Sequence, residues 1–247
     1  MSKRMRPINQ SRDWFDGGAA HLAKRLWPLA LLVLWTNPFY AYAASAYPVM
    51  APVADYMMDQ AAEIALARTA APASVSDKAE ILVLGARGYK SAVKGTNGFV
   101  CYVGRSWEND IDNVQFWNPK QRAPECDNAA AAHSVLPHYL QRARWVLSGV
   151  SRAEMLKRTK AEVASKRITQ PEAGSMCFML SKDGYIASAG GPWHPHVMFY
   201  GPRGGPVADW GANLPGSPVL SASSDLMPFT VYFVPVRKWS DGTLAKY

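Results

Sequence analysis

The chain has 247 residues, a formal net charge of +8, and 49% hydrophobic and 19% charged residues. Six of the basic and two of the acidic residues lie in residues 1–46, so the rest has 21 basic and 17 acidic residues and a net charge of only +4. This small surplus, without a groove pattern of basic and aromatic residues, argues against a nucleic-acid partner. About 200 remaining residues suffice for one domain with a hydrophobic core.

The first 46 residues have the pattern of a secretory signal peptide. A basic segment precedes an apolar run at residues 26–35, and two small-x-small cleavage sites follow at residues 41–43 and 44–46. An uncleaved membrane anchor is the alternative, but the apolar run spans 10 residues, whereas a membrane span needs about 20. We therefore expect a periplasmic or secreted protein with a signal peptide at 1–46 and one globular domain at 47–247. Membrane association is expected only through an uncleaved signal segment.

The first predicted elements of the mature chain are a helix and a meander. Residues 55–69 are Ala-rich and unbroken, which favours a helix capped by Asp55. Strands are predicted at 80–84, 89–93 and 99–104. The Asn97-Gly98 pair is a strong hairpin signal, so these three strands are expected to form an antiparallel meander. Residues 105–125 contain many turn formers and predict a loop.

Three helices and the remaining strands follow in the second half of the chain. Helices are predicted at 127–132 and 137–147, and Ser151 with Glu154 forms a capping-box pattern that starts a third. Strands are predicted at 175–180, 185–187, 196–200 and 228–236, and residues 201–216 form a Gly- and Pro-rich loop. This order predicts an α+β fold with a mostly antiparallel sheet and helices on one face.

Three cysteines, Cys101, Cys126 and Cys177, lie in the mature chain. An exported protein meets an oxidising compartment, where disulfides persist. Three pairings are possible, and we favour Cys101–Cys126, which would join a central strand to the loop ahead of the helices. The loop it closes could contribute roughly 3 kcal/mol to stability. Cys177 lies between apolar neighbours and is interpreted as a buried thiol.

His194 and His196 form the sharpest chemical pattern. Two histidines at i and i+2 on a strand project to one face and can reach one divalent transition metal. Further ligands would have to come from elsewhere in the chain, from His133, His138, Glu108, Asp110 or Asp112. The competing interpretation is structural, with His194 in a loop and His196 bonded to backbone. A metal-dependent hydrolase is thus an alternative function, and no cofactor is expected otherwise.

Two weaker patterns suggest other chemistry. Cys101 and His196 could form a nucleophilic pair, but Cys101 is expected in an apolar strand, where burial raises the thiol pKa. The acidic group Glu108, Asp110 and Asp112 has oxygen ligands at alternate positions, yet it lacks the glycine and terminal glutamate of a calcium loop. A solvated acidic loop is the favoured interpretation of this segment.

Aromatic residues suggest a binding surface. Trp193, Trp210 and Tyr200 lie in or beside the loop at residues 201–216, and exposed loop aromatics bind sugars, peptides or lipid headgroups. The alternative is that these rings cap the core. The leading functional hypothesis is a non-catalytic binding or envelope-associated protein whose partner is an unknown ligand or envelope component.

Four segments together carry a resemblance to a known family. They are AAPASVS at 70–76, KGTNGFVC at 94–101, APEC at 123–126 and HVMFY at 196–200. In combination they resemble a family of exported bacterial proteins of unknown function. The resemblance implies export from a bacterial cell and a single globular domain, and it implies no catalytic residues.

Overall fold

The computed structural model describes residues 47–223 and 227–246, all within one compact unit. The predicted signal peptide at residues 1–46 lies outside the described residues. Across the described ranges, none of the helices combines the length and apolar character that a membrane crossing requires.

Within the described residues, eight strands form one sheet in the order β2-β1-β3-β4-β5-β6-β8-β7. Their bounds are β1 Glu80–Gly85, β2 Gly88–Val93, β3 Val100–Gly104, β4 Ala123–Asp127, β5 Met176–Met179, β6 His196–Pro202, β7 Leu220–Ala222 and β8 Phe229–Pro235. Every neighbouring pair is antiparallel except β1 and β3, which are parallel. The predicted mostly antiparallel sheet is therefore confirmed.

In the part of the chain that the structure describes, five α-helices accompany the sheet: α1 Gln60–Arg68, α2 Ala73–Ser76, α3 Ala129–Ser134, α4 Leu136–Leu147 and α5 Arg152–Ala164. The predicted α+β class is confirmed. The cap of α1 is Asp59 rather than Asp55, because the Asp59 side chain accepts the backbone N–H of Ala62. Ser151 caps α5 as predicted, accepting the N–H of Glu154.

Helix residues pack in core clusters near both faces of the sheet. Successive side chains on a strand point to opposite faces, so the paired Cys101 and Cys126 lie on one face and the paired Tyr102 and Glu125 on the other. Ala67 of α1 packs in the core around the two cysteines. The helices α3 and α4 pack over the opposite face.

The predicted meander is wrong, because β3 pairs with β1 instead of β2. The chain bends at Asn97-Gly98, but only Gly98 has a positive φ, +78°, so the expected two-residue hairpin turn does not form. Instead, the Asn97 side chain donates to the carbonyl of Val75, and the N–H of Glu80 donates to the carbonyl of Phe99. These bonds hold the bend beside the residues that precede β1, so the chain crosses to the other side of β1.

The strand β4 occupies a segment that sequence reasoning assigned to a loop. All five of its residues are buried. Pro124 is tolerated because it pairs with Val103 on one side only, while pairing with β5 begins at Cys126. The consequence is that the carboxyl groups of Glu125 and Asp127 lie inside the protein.

Candidate functional site

The disulfide Cys101–Cys126 forms as predicted. The two cysteines are directly opposite each other on β3 and β4, their Cα atoms are 3.9 Å apart, and both are fully buried. Cys177 is a free, buried cysteine. A Cys101 nucleophile is excluded while the disulfide is intact, because its sulfur is already bonded.

His196 is buried at the start of β6, while His194 is exposed in the preceding loop. The Nδ1 atom of His196 lies 2.7 Å from the carbonyl oxygen of His194, which favours an Nδ1–H tautomer that donates to it. Nε2 is buried without a hydrogen-bond partner. Burial lowers the pKa of His196 to about 4, so its imidazole is neutral at pH 7.

The surroundings of His196 are tightly packed. The Trp193 ring lies 4.5 Å from the His196 ring, and the neighbouring cavity has a volume of about 10 Å³, room for about one water molecule. Within residues 47–223 and 227–246, no group of three or more His, Cys, Asp or Glu side chains is arranged to hold a metal ion. The metal site at His194 and His196 stays a prediction.

The aromatic residues proposed for binding lie on opposite faces of the sheet. Trp193 packs against Phe233 on the face covered by α3 and α4. Trp210 stacks on Tyr232 on the other face, with ring centroids 4.4 Å apart and planes inclined by 17°, and it is 46% exposed. Tyr200 is buried against Phe229. These three aromatic residues therefore do not form one continuous binding surface.

A groove of about 370 Å³ opens beside the C-terminal end of α5. It is lined by Val163, Lys166, Ile168, Gln170, Arg203 and Pro228. The backbone N–H of Arg203 donates to Oε1 of Gln170 over 3.3 Å, which joins two of the three segments that line the groove. Lys166 has a positive φ of 54°, a left-handed conformation that is uncommon outside glycine and ends the helix there. Arg203 belongs to the predicted functional loop at 201–216.

The predicted acidic loop does not assemble as a group. Asp112 is exposed, whereas the Glu108 side chain turns inward and both of its carboxylate oxygens are buried. The Glu108 carboxyl lies directly over the α-carbon of Gly104, in space that any other side chain would occupy. Glu108 is thereby removed from the aspartates and brought to the acids of β4.

Glu108, Glu125 and Asp127 form a buried acidic centre on the face of the sheet beneath α4. Burial raises the pKa of Glu108 well above its usual range, and repulsion from Glu125 and a hydrogen bond with it raise it further. Burial raises the pKa of Glu125 to about 7, although the Tyr102 hydroxyl, which donates to it over 3.1 Å, acts to lower it. Burial also raises the pKa of Asp127.

Two buried arginines lie near this acidic centre but donate elsewhere. Arg142 of α4 donates to the carbonyl oxygens of Trp107, Glu108 and Asn109 at 3.2, 3.4 and 2.9 Å. Arg105 forms an ion pair with Glu63. Both guanidinium groups lower the pKa of Glu108 only through space.

Sequence reasoning missed the acidic centre because Pro124 and two acids made β4 look like a loop. The predicted disulfide at Cys126 nevertheless contained a signal that could have revealed the acidic centre. If Cys126 is buried in a strand, the alternation of side chains places Glu125 and Asp127 together on the opposite face. An acid on each side of a disulfide cysteine therefore indicates a buried polar layer or an edge strand.

Comparisons with family models, with curated proteins and with solved structures found no match to this chain. The resemblance to exported bacterial proteins of unknown function therefore remains a prediction.

Proposed function

We propose that this is an exported, non-catalytic binding protein of the bacterial envelope, periplasmic or secreted, whose ligand is a small anion with an apolar portion. The buried Cys101–Cys126 disulfide supports the location, because such bonds persist in oxidising compartments. The groove beside α5 supports the binding role.

The observation that carries the proposal is the combination of size and lining in this groove. Its volume of about 370 Å³ is within the range of small-molecule sites, which are roughly 300–1,000 Å³. Val163, Ile168 and Pro228 supply apolar contact, while Lys166 and Arg203 supply positive charge. Cationic side chains beside apolar ones suit a carboxylate or phosphate that carries a hydrocarbon group.

The test is a titration of the isotopically labelled protein with octanoate, followed by amide chemical shifts. We expect saturable shifts at Val163, Lys166 and Ile168, and much weaker binding of uncharged 1-octanol. Absence of shifts at the groove would overturn the proposal. Equal binding of both probes would overturn the anionic ligand class.

Matched variants test whether the charges of Lys166 and Arg203 contribute to octanoate binding. Lys166→Asn keeps a residue that tolerates positive φ, and Arg203→Gln removes the second charge. Each is expected to weaken octanoate binding about threefold to fivefold, as for an exposed ion pair. Lys160→Gln removes an exposed lysine from α5 that does not line the groove and is expected to leave the affinity unchanged.

Export has its own test. The intact mass of the protein recovered from the periplasm or medium of a bacterial host should correspond to cleavage at residues 41–46 and to the loss of two hydrogens for one disulfide. An uncleaved chain in the membrane fraction would contradict the proposed location.

The metal-dependent hydrolase at His194 and His196 is the second candidate. One observation favours it: the His196 Nδ1 contacts a backbone carbonyl while Nε2 has no partner, the arrangement in which metal-bound histidines are held. Native mass spectrometry after incubation with Zn²⁺ tests this. Stoichiometric zinc that is lost in His196→Ala, with the fold retained, would favour the hydrolase over the binding protein.

A further inference from the structure

The acidic centre contains more carboxylate oxygens than hydrogen-bond donors. Among the described residues, no N–H or hydroxyl group donates to the four buried carboxyl oxygens of Glu108 and Asp127. Glu125 accepts from the Tyr102 hydroxyl. An ionised carboxylate buried without donors is very costly, and such a group takes up a proton instead.

The neighbouring arginines act on Glu108 only through space, because their hydrogen bonds go to other groups. The NH1 group of Arg142 donates to three backbone carbonyls. The Nε and NH2 groups of Arg105 donate to the carbonyl of Tyr56 and to Glu63. The carboxyls of Glu108 and Glu125 face each other, and two carboxyl groups can share a hydrogen bond only when one of them carries a proton.

From this geometry we infer that Glu108, Glu125 and Asp127 form a proton-binding centre that holds protons in the folded protein at neutral pH, so that mild acidification stabilises the fold. The centre is distinct from the groove beside α5 and does not depend on the proposed ligand. For a protein exported across a bacterial membrane, it would link the stability of the fold to the external pH.

The pH dependence follows from the direction of the pKa shifts. A carboxyl with a raised pKa keeps its proton in the folded protein where the unfolded chain, with carboxyl pKa values of about 4, has lost it. Its contribution to stability is complete below about pH 4 and is lost as the pH rises through the folded-state pKa, about 7 for Glu125. Stability therefore falls as pH rises across neutrality.

Other ionisable and charged groups face the centre and set the useful pH window. They are Tyr89 of β2, Tyr102 of β3, Cys177 of β5, Tyr200 of β6, His138, Tyr139 and Arg142 of α4, Glu63 of α1, and Arg105 and Asp110 of the segment after β3.

Two buried histidines limit the useful pH window at its acidic end. Burial lowers the pKa of His138 to about 3 and, outside the centre, that of His196 to about 4. Acid below about pH 6.5 therefore destabilises the fold through both histidines. An unfolded thiol such as Cys177 ionises near pH 8.5, and unfolded histidines are mostly neutral above about pH 7, so the carboxyls dominate the pH dependence between about pH 7 and 8.

The experiment is urea unfolding of the mature protein at several pH values between about 7 and 8. We expect the folding equilibrium constant to fall about tenfold per pH unit for each proton held only in the folded state. Glu108→Gln replaces a protonated carboxyl by a neutral amide and is expected to reduce this slope. Asp183→Asn, at an exposed position, is expected to retain it. A wild-type stability that is constant or rises over this window would overturn the inference.

A second measurement does not depend on the variants. Side-chain carboxyl carbon chemical shifts of the wild-type protein at pH 6.5 report the protonation of each group. We expect protonated signals for at least one of Glu108 and Glu125 and for Asp127. Ionised signals for all three carboxyls would overturn the inference, even if Glu108→Gln fails to fold.

Discussion

Glu63 of α1 and Arg105, the residue after β3, form a fully buried ion pair with 2.8 Å between Oε1 and NH2. The same glutamate oxygen accepts the N–H of Leu84 in β1, and Nε of Arg105 donates to the carbonyl of Tyr56. One ion pair thus ties the N-terminal segment and α1 to the sheet.

Removing one member of this pair should be strongly destabilising. Arg105→Met leaves a buried glutamate without its counter-ion, and we expect a loss of about 3–5 kcal/mol in the free energy of unfolding. The double variant Glu63→Leu, Arg105→Met removes both charges and should lose less than the sum of the single variants. Urea unfolding of the double-mutant cycle measures the difference. Additive losses would show that the two charges do not act as a pair.

Gly104 is expected to resist substitution because of the Glu108 carboxyl above it. A Cβ at this position would collide with that carboxyl, so Gly104→Ala must displace Glu108 and should cost about 1–3 kcal/mol. Gly191→Ala is the matched control, since nothing lies within 4 Å of its added Cβ. Thermal unfolding of both variants tests this, and equal melting temperatures would contradict the placement of Glu108.

The disulfide should be a major contribution to stability. It joins cysteines 25 residues apart, and the double variant Cys101→Ala, Cys126→Ala should lose about 3 kcal/mol in the free energy of unfolding, measured by urea unfolding.

Cys177 should be unreactive to thiol labelling in the native oxidised protein, because it is buried and burial raises its pKa. Rapid labelling of Cys177 without denaturant would contradict its buried position.

Tyr102→Phe should alter the titration of Glu125 with little change in shape. The Tyr102 hydroxyl stabilises the ionised form of Glu125, so its removal should raise the pKa of Glu125 above about 7. The free energy of unfolding should then decline at a higher pH than in the wild-type protein. Carboxyl carbon shifts recorded from pH 6 to 9 measure the change, and an unchanged Glu125 titration would show that the hydroxyl does not donate to it.

The sequence predicted those parts of the fold that depend on local signals. Ser151 capped its helix, and HVMFY formed a strand, because neighbouring residues determine caps and alternation. The partner of β3 was not predictable, since it depends on where the Asn97 side chain finds an acceptor far away in the chain. The acidic centre was missed for a similar reason, because only tertiary packing buries Glu108 and Glu125 together.

The order of the strands has a consequence for association between molecules. The two sheet edges are β2 and β7, where unpaired backbone groups could recruit a strand from another chain. The edge strand β7 has only three residues, and β2 carries Lys90 with an exposed side chain. Short length and an edge lysine both discourage strand addition, so neither edge favours growth into an intermolecular sheet.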